Sequence, residues 1–547
     1  MSKPPAILAE MKSATRFLLR HLFAMQAALL VTAVGISATE AFAAPSSAMP
    51  ASSTNNTCQV SEQSGPDWGA RVMACVHSLP SSGGLLDAGG TVGSQTCTTP
   101  IVIPAFSTLR LGAGTTISGT CQVALTQGSA IEGMGGVVSY GLSPSSGQIT
   151  WEYTASSGNF VSIYANAWHA KLANVKFVGP LALGGSSGAG NGLYVTGNGI
   201  QPGLTGPAYG VAGLTLDHVT FQGFYGDGIH LEDNVYLVEC WRCASFENGG
   251  NGWYQSANAS TQAPNQVQLY AAQMIGNGIL SGSQIKALGA AGAGEIRIYG
   301  GSIANDIGRA EGNAAYCVDI EANSRQQMNA WIDGVHMEGC GSTSGSGAFI
   351  YGNIANGVMT VHDTSFVSTW IGGTETKAPA LVVGGGFSSG VLYFGPGNKY
   401  NFRAQHIKTD SANITGKAFF YDQAPEDIGG SGPGSNFSFP SQIASSRGYI
   451  SASNTFTVKA QNAQSAVPNV PKGASCLLAL RDETNTGSAV LMCDPDVGCA
   501  VLSDKTGGTG EGASGSYNVK NGNSLQFTFS GPSGIYPRTM GYTAFCW

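Results

Sequence analysis

The chain has 547 residues, of which 42% are hydrophobic and only 10% charged, with a formal net charge of −7. That balance describes a globular chain with a large core and excludes a basic nucleic-acid binder. The 79 glycines follow no Gly-X-Y period, which excludes collagen, and with few charges they imply many short strands and tight turns.

The N-terminus predicts an export signal. Lys12, Arg16 and Arg20 precede the apolar run "LFAMQAALLVTAVGI", which is short for a membrane span, and "AFAAP" offers cleavage after Ala43. Met11 is an alternative start, and a retained N-terminal anchor is the rival reading. Removing residues 1–43 takes away four basic residues (Lys3, Lys12, Arg16, Arg20) and two acidic ones (Glu10, Glu40), so the exported chain is more acidic still. It is expected to be secreted, periplasmic or on the cell surface. Residues 44–57 are polar and small and predict a disordered segment.

Residues 58–423 are organised by a repeat. "LANVKF" ends at Phe177, "LTLDHVTF" at Phe221, "CWRCASF" at Phe246, "VQLYAAQM" at Met274, "IRIYGGSI" at Ile303, "AWIDGVHM" at Met337, "MTVHDTSF" at Phe366 and "YFGPGNKY" at Tyr400. Five positions before these anchors stand Leu172, Leu216, Trp241, Leu269, Ile298, Ile332 and Val361. An Asn- and Gly-rich turn follows most of them, then a second alternating strand. These second strands are "GLYVTG", "GIHLED", "GWYQSA", "SQIKAL", "CVDIEA", "AFIYGN" and "ALVVGG". Each unit spans roughly 25 to 44 residues, holds two or three strands and cannot bury its own apolar face. Stacked copies can. The pattern predicts an all-β right-handed parallel β-helix, because propeller blades need about 40–45 residues and four antiparallel strands each.

Residues 424–442, rich in Gly, Pro and Ser, predict a linker, and the alternating runs of 443–547 a small C-terminal β domain. The 12 cysteines fall into three groups of four: Cys58, Cys75, Cys97, Cys121; Cys240, Cys243, Cys317, Cys340; and Cys476, Cys493, Cys499, Cys546. An even count in an exported chain predicts disulfides. In the last group, Cys493 and Cys499 would close a loop while Cys476 and Cys546 brace the domain ends. The CxxC of "CWRC" has no thioredoxin-like context and reads as structural.

Over roughly residues 58–410 the chain resembles the pectin-lyase-like β-helix superfamily. Besides the repeat, "DWGARVMACVHSLPSSGGLLDAGG" resembles that group's N-terminal cap, a short amphipathic helix leading through a Gly turn into the first strand. "TTPIVIPAFSTLRLGAGTTIS" and "CQVALTQGSAIEGMGG" are similar to early coils. The resemblance implies architecture more than activity, since the superfamily includes pectate lyases, polygalacturonases, epimerases, tailspikes and adhesins.

On the second strands, outward positions of successive coils stack into a ladder: Tyr194 and Thr196, His230 and Glu232, Tyr254 and Ser256, Lys286, Asp319 and Glu321, Tyr351 and Asn353. Rings, acids and a base on one face suit a sugar polymer. Asp319 and Glu321 share a face with Cα atoms about 6–7 Å apart. Carboxyl groups about 5–9.5 Å apart serve glycoside hydrolysis. Lys286, one rung away, would tune one of them or act as a base. The candidate catalytic residues are therefore Asp319, Glu321 and Lys286. Candidate substrate-binding residues are Tyr254, His230, Glu232, Tyr194 and Tyr351, with Arg309 and Arg325 (and Glu311) in flanking loops. His336/Glu338, Asp217/His218 and His362/Asp363 read as structural pairs on other rungs.

The paired-Asp, Gly-His-Gly and Arg-Ile-Lys signatures of polygalacturonase-like hydrolases are absent, as is "DPHE", and no GxSxG, P-loop or HExxH occurs. The expected function is secreted action on a polysaccharide, by hydrolysis or β-elimination. The rival is a non-catalytic adhesin or tailspike-like glycan binder on a rigid stalk. No cofactor or metal is expected, with Ca²⁺ the exception for a lyase. The expected partner is the polysaccharide, not nucleic acid; no membrane insertion is expected after signal cleavage, and homo-oligomerisation is left open.

Overall fold

The computed structural model describes residues 56–420, except for internal segments of which 136–146 and 306–315 are the longest, and the backbone of strands between 450 and 546. The signal, the segment up to residue 55 and the linker 424–442 lie outside the described residues, as do Arg309, Glu311 and Arg325. No helix among the described residues is long and apolar enough to cross a membrane.

The chain winds through three parallel sheets in a fixed order. The first sheet starts with Thr57–Gln59 and Leu85–Ala88, the second with Gly93–Cys97, the third with Ile101–Ile103. Each later coil adds a strand to each sheet, as Val161–Ile163, Lys171–Ala173 and Lys176–Val178 do for the third, first and second. The result is the right-handed parallel β-helix that the repeat predicts. The helix Trp68–Ser78 caps its start, with Trp68, Val72 and Cys75 buried. Asp67 caps that helix by accepting from the Ala70 amide at 2.7 Å, and the Thr98 and Thr99 amides reach its other oxygen.

The interior is a set of apolar ladders. In the second sheet, Ile117, Trp151, Phe177 and Phe221 occupy one register row, and Met274, Ile303, Met337, Phe366 and Tyr400 continue it. All are buried, as the anchors require. One anchor is corrected. Ser245, not Phe246, stands between Phe221 and Met274. Likewise Cys240, not Trp241, stands between Leu216 and Leu269. A slip of one residue exchanges inner and outer faces, so Trp241 stands outside, 43% exposed. The polar rung is stable because it is satisfied. Asn248 donates to Ser245 Oγ and Asn277 Oδ1, both at 2.8 Å, inside the coil.

The corner between the first and second sheets repeats a left-handed residue. Asn174, His218, Arg242, Ala271 and Asp363 have φ between 51° and 57° there, and Gly300 and Gly334 occupy the same corner. His218 and Asp363 are thus corner residues, consistent with a structural role for their acid–His neighbours. Eight cysteines pair as Cys58–Cys75, Cys97–Cys121, Cys240–Cys243 and Cys317–Cys340, and both members of the CxxC are buried.

In the C-terminal region the strands are antiparallel, in one five-stranded and one three-stranded sheet. Cys546, Cys476, Cys493 and Cys499 occupy one register line across four adjacent strands. Neighbouring strands lie about 4.8 Å apart and next-nearest ones about twice that, beyond the ~7 Å Cα limit of a disulfide. Only Cys476–Cys546 with Cys493–Cys499 uses all four. Non-reducing peptide mapping should recover those two links, and a Cys476–Cys493 peptide would contradict this assignment.

Candidate functional site

The ladder expected on the second strands is present on the third sheet. Ser162, Tyr194, His230, Tyr254, Lys286, Asp319, Tyr351 and Val382 form one register row. Thr196, Glu232 and Ser256 start the second row, and Leu288, Glu321 and Asn353 continue it. Alternation explains the placement, since Ile229, Leu231, Ile285, Ala287, Val318 and Ile320 turn inward and are buried.

Lys286 is the hub of one end. Its Nζ donates to Asp319 Oδ2 and to Glu321 Oε1, each at 2.7 Å. The two accepting oxygens therefore lie no more than twice that distance apart. Their environments differ: the Asp319 side chain is 4% exposed, that of Glu321 35%. Burial pushes the Asp319 carboxyl up to about 6, against the opposing pull of Lys286. Burial also works against the Lys286 charge, yet Asp319 and Glu321 outweigh it and hold the ammonium well above its ordinary range. Asp319 Oδ1 is buried with no hydrogen-bond partner. Tyr351, on the next rung, stacks on Tyr316 at 4.9 Å.

The other end is built around His230. Its ring contacts Tyr194 at 5.3 Å and meets Tyr254 edge to face at 4.8 Å. Glu232, its outward neighbour, instead accepts from Tyr194 Oη at 2.6 Å. The partner of His230 is Asp227, whose Oδ2 lies 2.8 Å from Nδ1. Sequence reading passed over Asp227; the signal was an acid three residues before the histidine in "DGIH", at a turn that brings it back over the strand. Tyr254 stands between the two ends, and burial raises its hydroxyl above the ordinary phenol range.

The other pairs lie elsewhere. His336 and Glu338 meet at 3.3 Å on the second sheet. Asp333, His362 and Asp363 converge on the first, with His362 Nδ1 3.1 and 3.3 Å from the two carboxylates. Within the ladder, the Asp319 and Glu321 oxygens that face one another are already engaged by Lys286.

No family model and no curated protein matches the chain. Among solved structures it is similar to the tailspike protein gp49 of Acinetobacter baumannii bacteriophage Fri1, a capsular polysaccharide depolymerase, at 11% identity, covering 90% of this chain and 86% of that one, with a TM-score of 0.28. Tailspike protein 2 of the Escherichia coli O157:H7 bacteriophage CAB120 is 12% identical over 87% of this chain and 69% of that one, with a TM-score of 0.42. The A-module of the Azotobacter vinelandii mannuronan C-5 epimerase AlgE6 is 12% identical over 67% of this chain and 94% of that one, with a TM-score of 0.34.

Proposed function

We propose that this chain is an exported polysaccharide-cleaving protein that hydrolyses a neutral glycan along the third sheet, with Asp319 and Glu321 as the reacting carboxylates. The observation that carries the reading is the shared Lys286 ammonium. It holds one oxygen of each acid 2.7 Å from the same Nζ, closer together than the ~6.5–9.5 Å of an inverting pair, while burial raises the proton affinity of Asp319. Asp319 is then the acid that protonates the leaving oxygen, and the more exposed Glu321 is the nucleophile. Lys286 has three donors on a flexible stem, so it can release one carboxylate as a sugar enters. Tyr194, Tyr254 and Tyr351 offer apolar ring surface along the same row.

Charge favours hydrolysis over elimination. Even with Asp319 protonated, Asp227, Glu232 and Glu321 outnumber Lys286 among the described residues of this face, a field that repels a uronate chain. Elimination needs a cation to neutralise the uronate, and Lys286 already serves two carboxylates.

The test is to incubate the secreted protein with neutral and uronate polysaccharides. New reducing ends without the ultraviolet absorbance of an unsaturated product, and with the anomeric configuration retained, are expected. An absorbing product would replace hydrolysis by elimination, and binding without turnover would leave only the glycan-binding rival. The pH dependence follows from Asp319. The acid must carry its proton, so kcat/KM should fall about tenfold per pH unit above about 6. A rate that rises across that window would remove Asp319 from the acid role.

A further inference from the structure

We infer that Asp227 and His230 form a separate sugar subsite in the same groove, one that reads a hydrogen-bond donor on a neutral sugar, a hydroxyl or an acetamido N–H. The inference rests on the groove reading above and deepens it. Two buried acceptors on the outward rows of the third sheet have no partner among the described residues: Asp319 Oδ1 and His230 Nε2. They stand in one register row three rungs apart, about 14 Å at the spacing of parallel strands. That is too far for one reacting centre and suits separate sugars of one chain.

The imidazole is held in one orientation. Asp227 Oδ1 accepts from the Asn251 amide at 2.6 Å and from Asn251 Nδ2 at 2.8 Å, which fixes the carboxylate. Asp227 Oδ2 then accepts from His230 Nδ1. A carboxylate only accepts, so the proton of the neutral imidazole sits on Nδ1 and leaves Nε2 as a bare acceptor. Tyr194 and Tyr254 flank the ring, and the Tyr194 hydroxyl is already committed to Glu232. Among the described residues no side chain donates to Nε2. Nε2 is itself covered, so a sugar reaches it by displacing the Tyr194 or Tyr254 ring, and the unpaired acceptor then gains a hydrogen bond from a ligand hydroxyl or N–H. Such a site rejects sugars that lack the donor far more strongly than a purely apolar pocket would.

The experiment has two arms. The first is ligand-free: ¹⁵N-histidine spectra of the full chain, in which His230 is assigned among the 8 histidines by its loss in His230→Phe. The Nδ1–H tautomer is expected, and an Nε2–H tautomer or an imidazolium would overturn the subsite. The second uses Glu321→Gln protein on a panel of neutral hexose, N-acetylhexosamine and uronate oligosaccharides. His230→Phe in that background should weaken retention of the bound glycan at least about tenfold, and His230→Gln, which restores an acceptor, should recover part of it. Preference for N-acetylhexosamine over hexose probes would identify the donor as the acetamido N–H, and the reverse as a hydroxyl. Retention that survives His230→Phe overturns the subsite alone; retention of no probe by any variant sinks the groove reading with it.

Discussion

Glu321→Gln and Asp319→Asn should each lower turnover of the cleaved polysaccharide by at least about a hundredfold, the lower end for loss of a general acid, base or nucleophile. Both changes keep shape and remove one charge next to Lys286, whose Nζ lies 2.7 Å from each carboxylate. They should differ in pH dependence. Glu321→Gln leaves the Asp319 acid in place but removes one of the groups that raise it, so residual activity should keep a fall with pH that begins below about 6. Asp319→Asn removes that group, and the fall with it. Initial rates across pH, with melting curves to verify folding, decide the matter. If both folded variants cleave at the normal rate, the chemistry lies elsewhere, and Arg309, Glu311 and Arg325 become the next residues to replace.

Phe221→Ala should destabilise the β-helix by about 3–5 kcal/mol, the usual cost of emptying a core aromatic site. Phe221 is fully buried and stacks on Phe177 at 5.0 Å, with Phe224 also in contact at 6.4 Å. The rungs above and below are set by backbone pairing, so the neighbours cannot collapse into the space. Trp241→Ala is the contrast. That ring lies outside, stacked on Tyr270 at 4.0 Å, and should cost only about the 0.5–1.5 kcal/mol of an aromatic pair plus part of its covered area. Chemical denaturation of both variants checks the difference. A Trp241→Ala cost as large as that of Phe221→Ala would contradict the register of that coil.

The sequence by itself determined the architecture and the outward ladder. Strand alternation has a period of two, and stacked coils must align their apolar residues to bury them. Hence alternation alone places Tyr194, His230, Tyr254, Lys286, Asp319 and Tyr351 in one row. Where a coil buries a polar rung the signal fails: in "CWRCASF" the bulkiest residues, Trp241 and Phe246, drew the anchors one position past Cys240 and Ser245. Only a hydrogen-bonded interior, with Asn248 and Asn277 beside Ser245, makes that choice favourable, and such pairing spans coils. The same limit applies to the groove. That His230 is bound by Asp227 rather than Glu232, and that one ammonium joins Asp319 to Glu321, depends on side-chain geometry across turns and rungs. Strand periodicity specifies which face a residue occupies, whereas hydrogen-bond partners and burial come only from the folded neighbours.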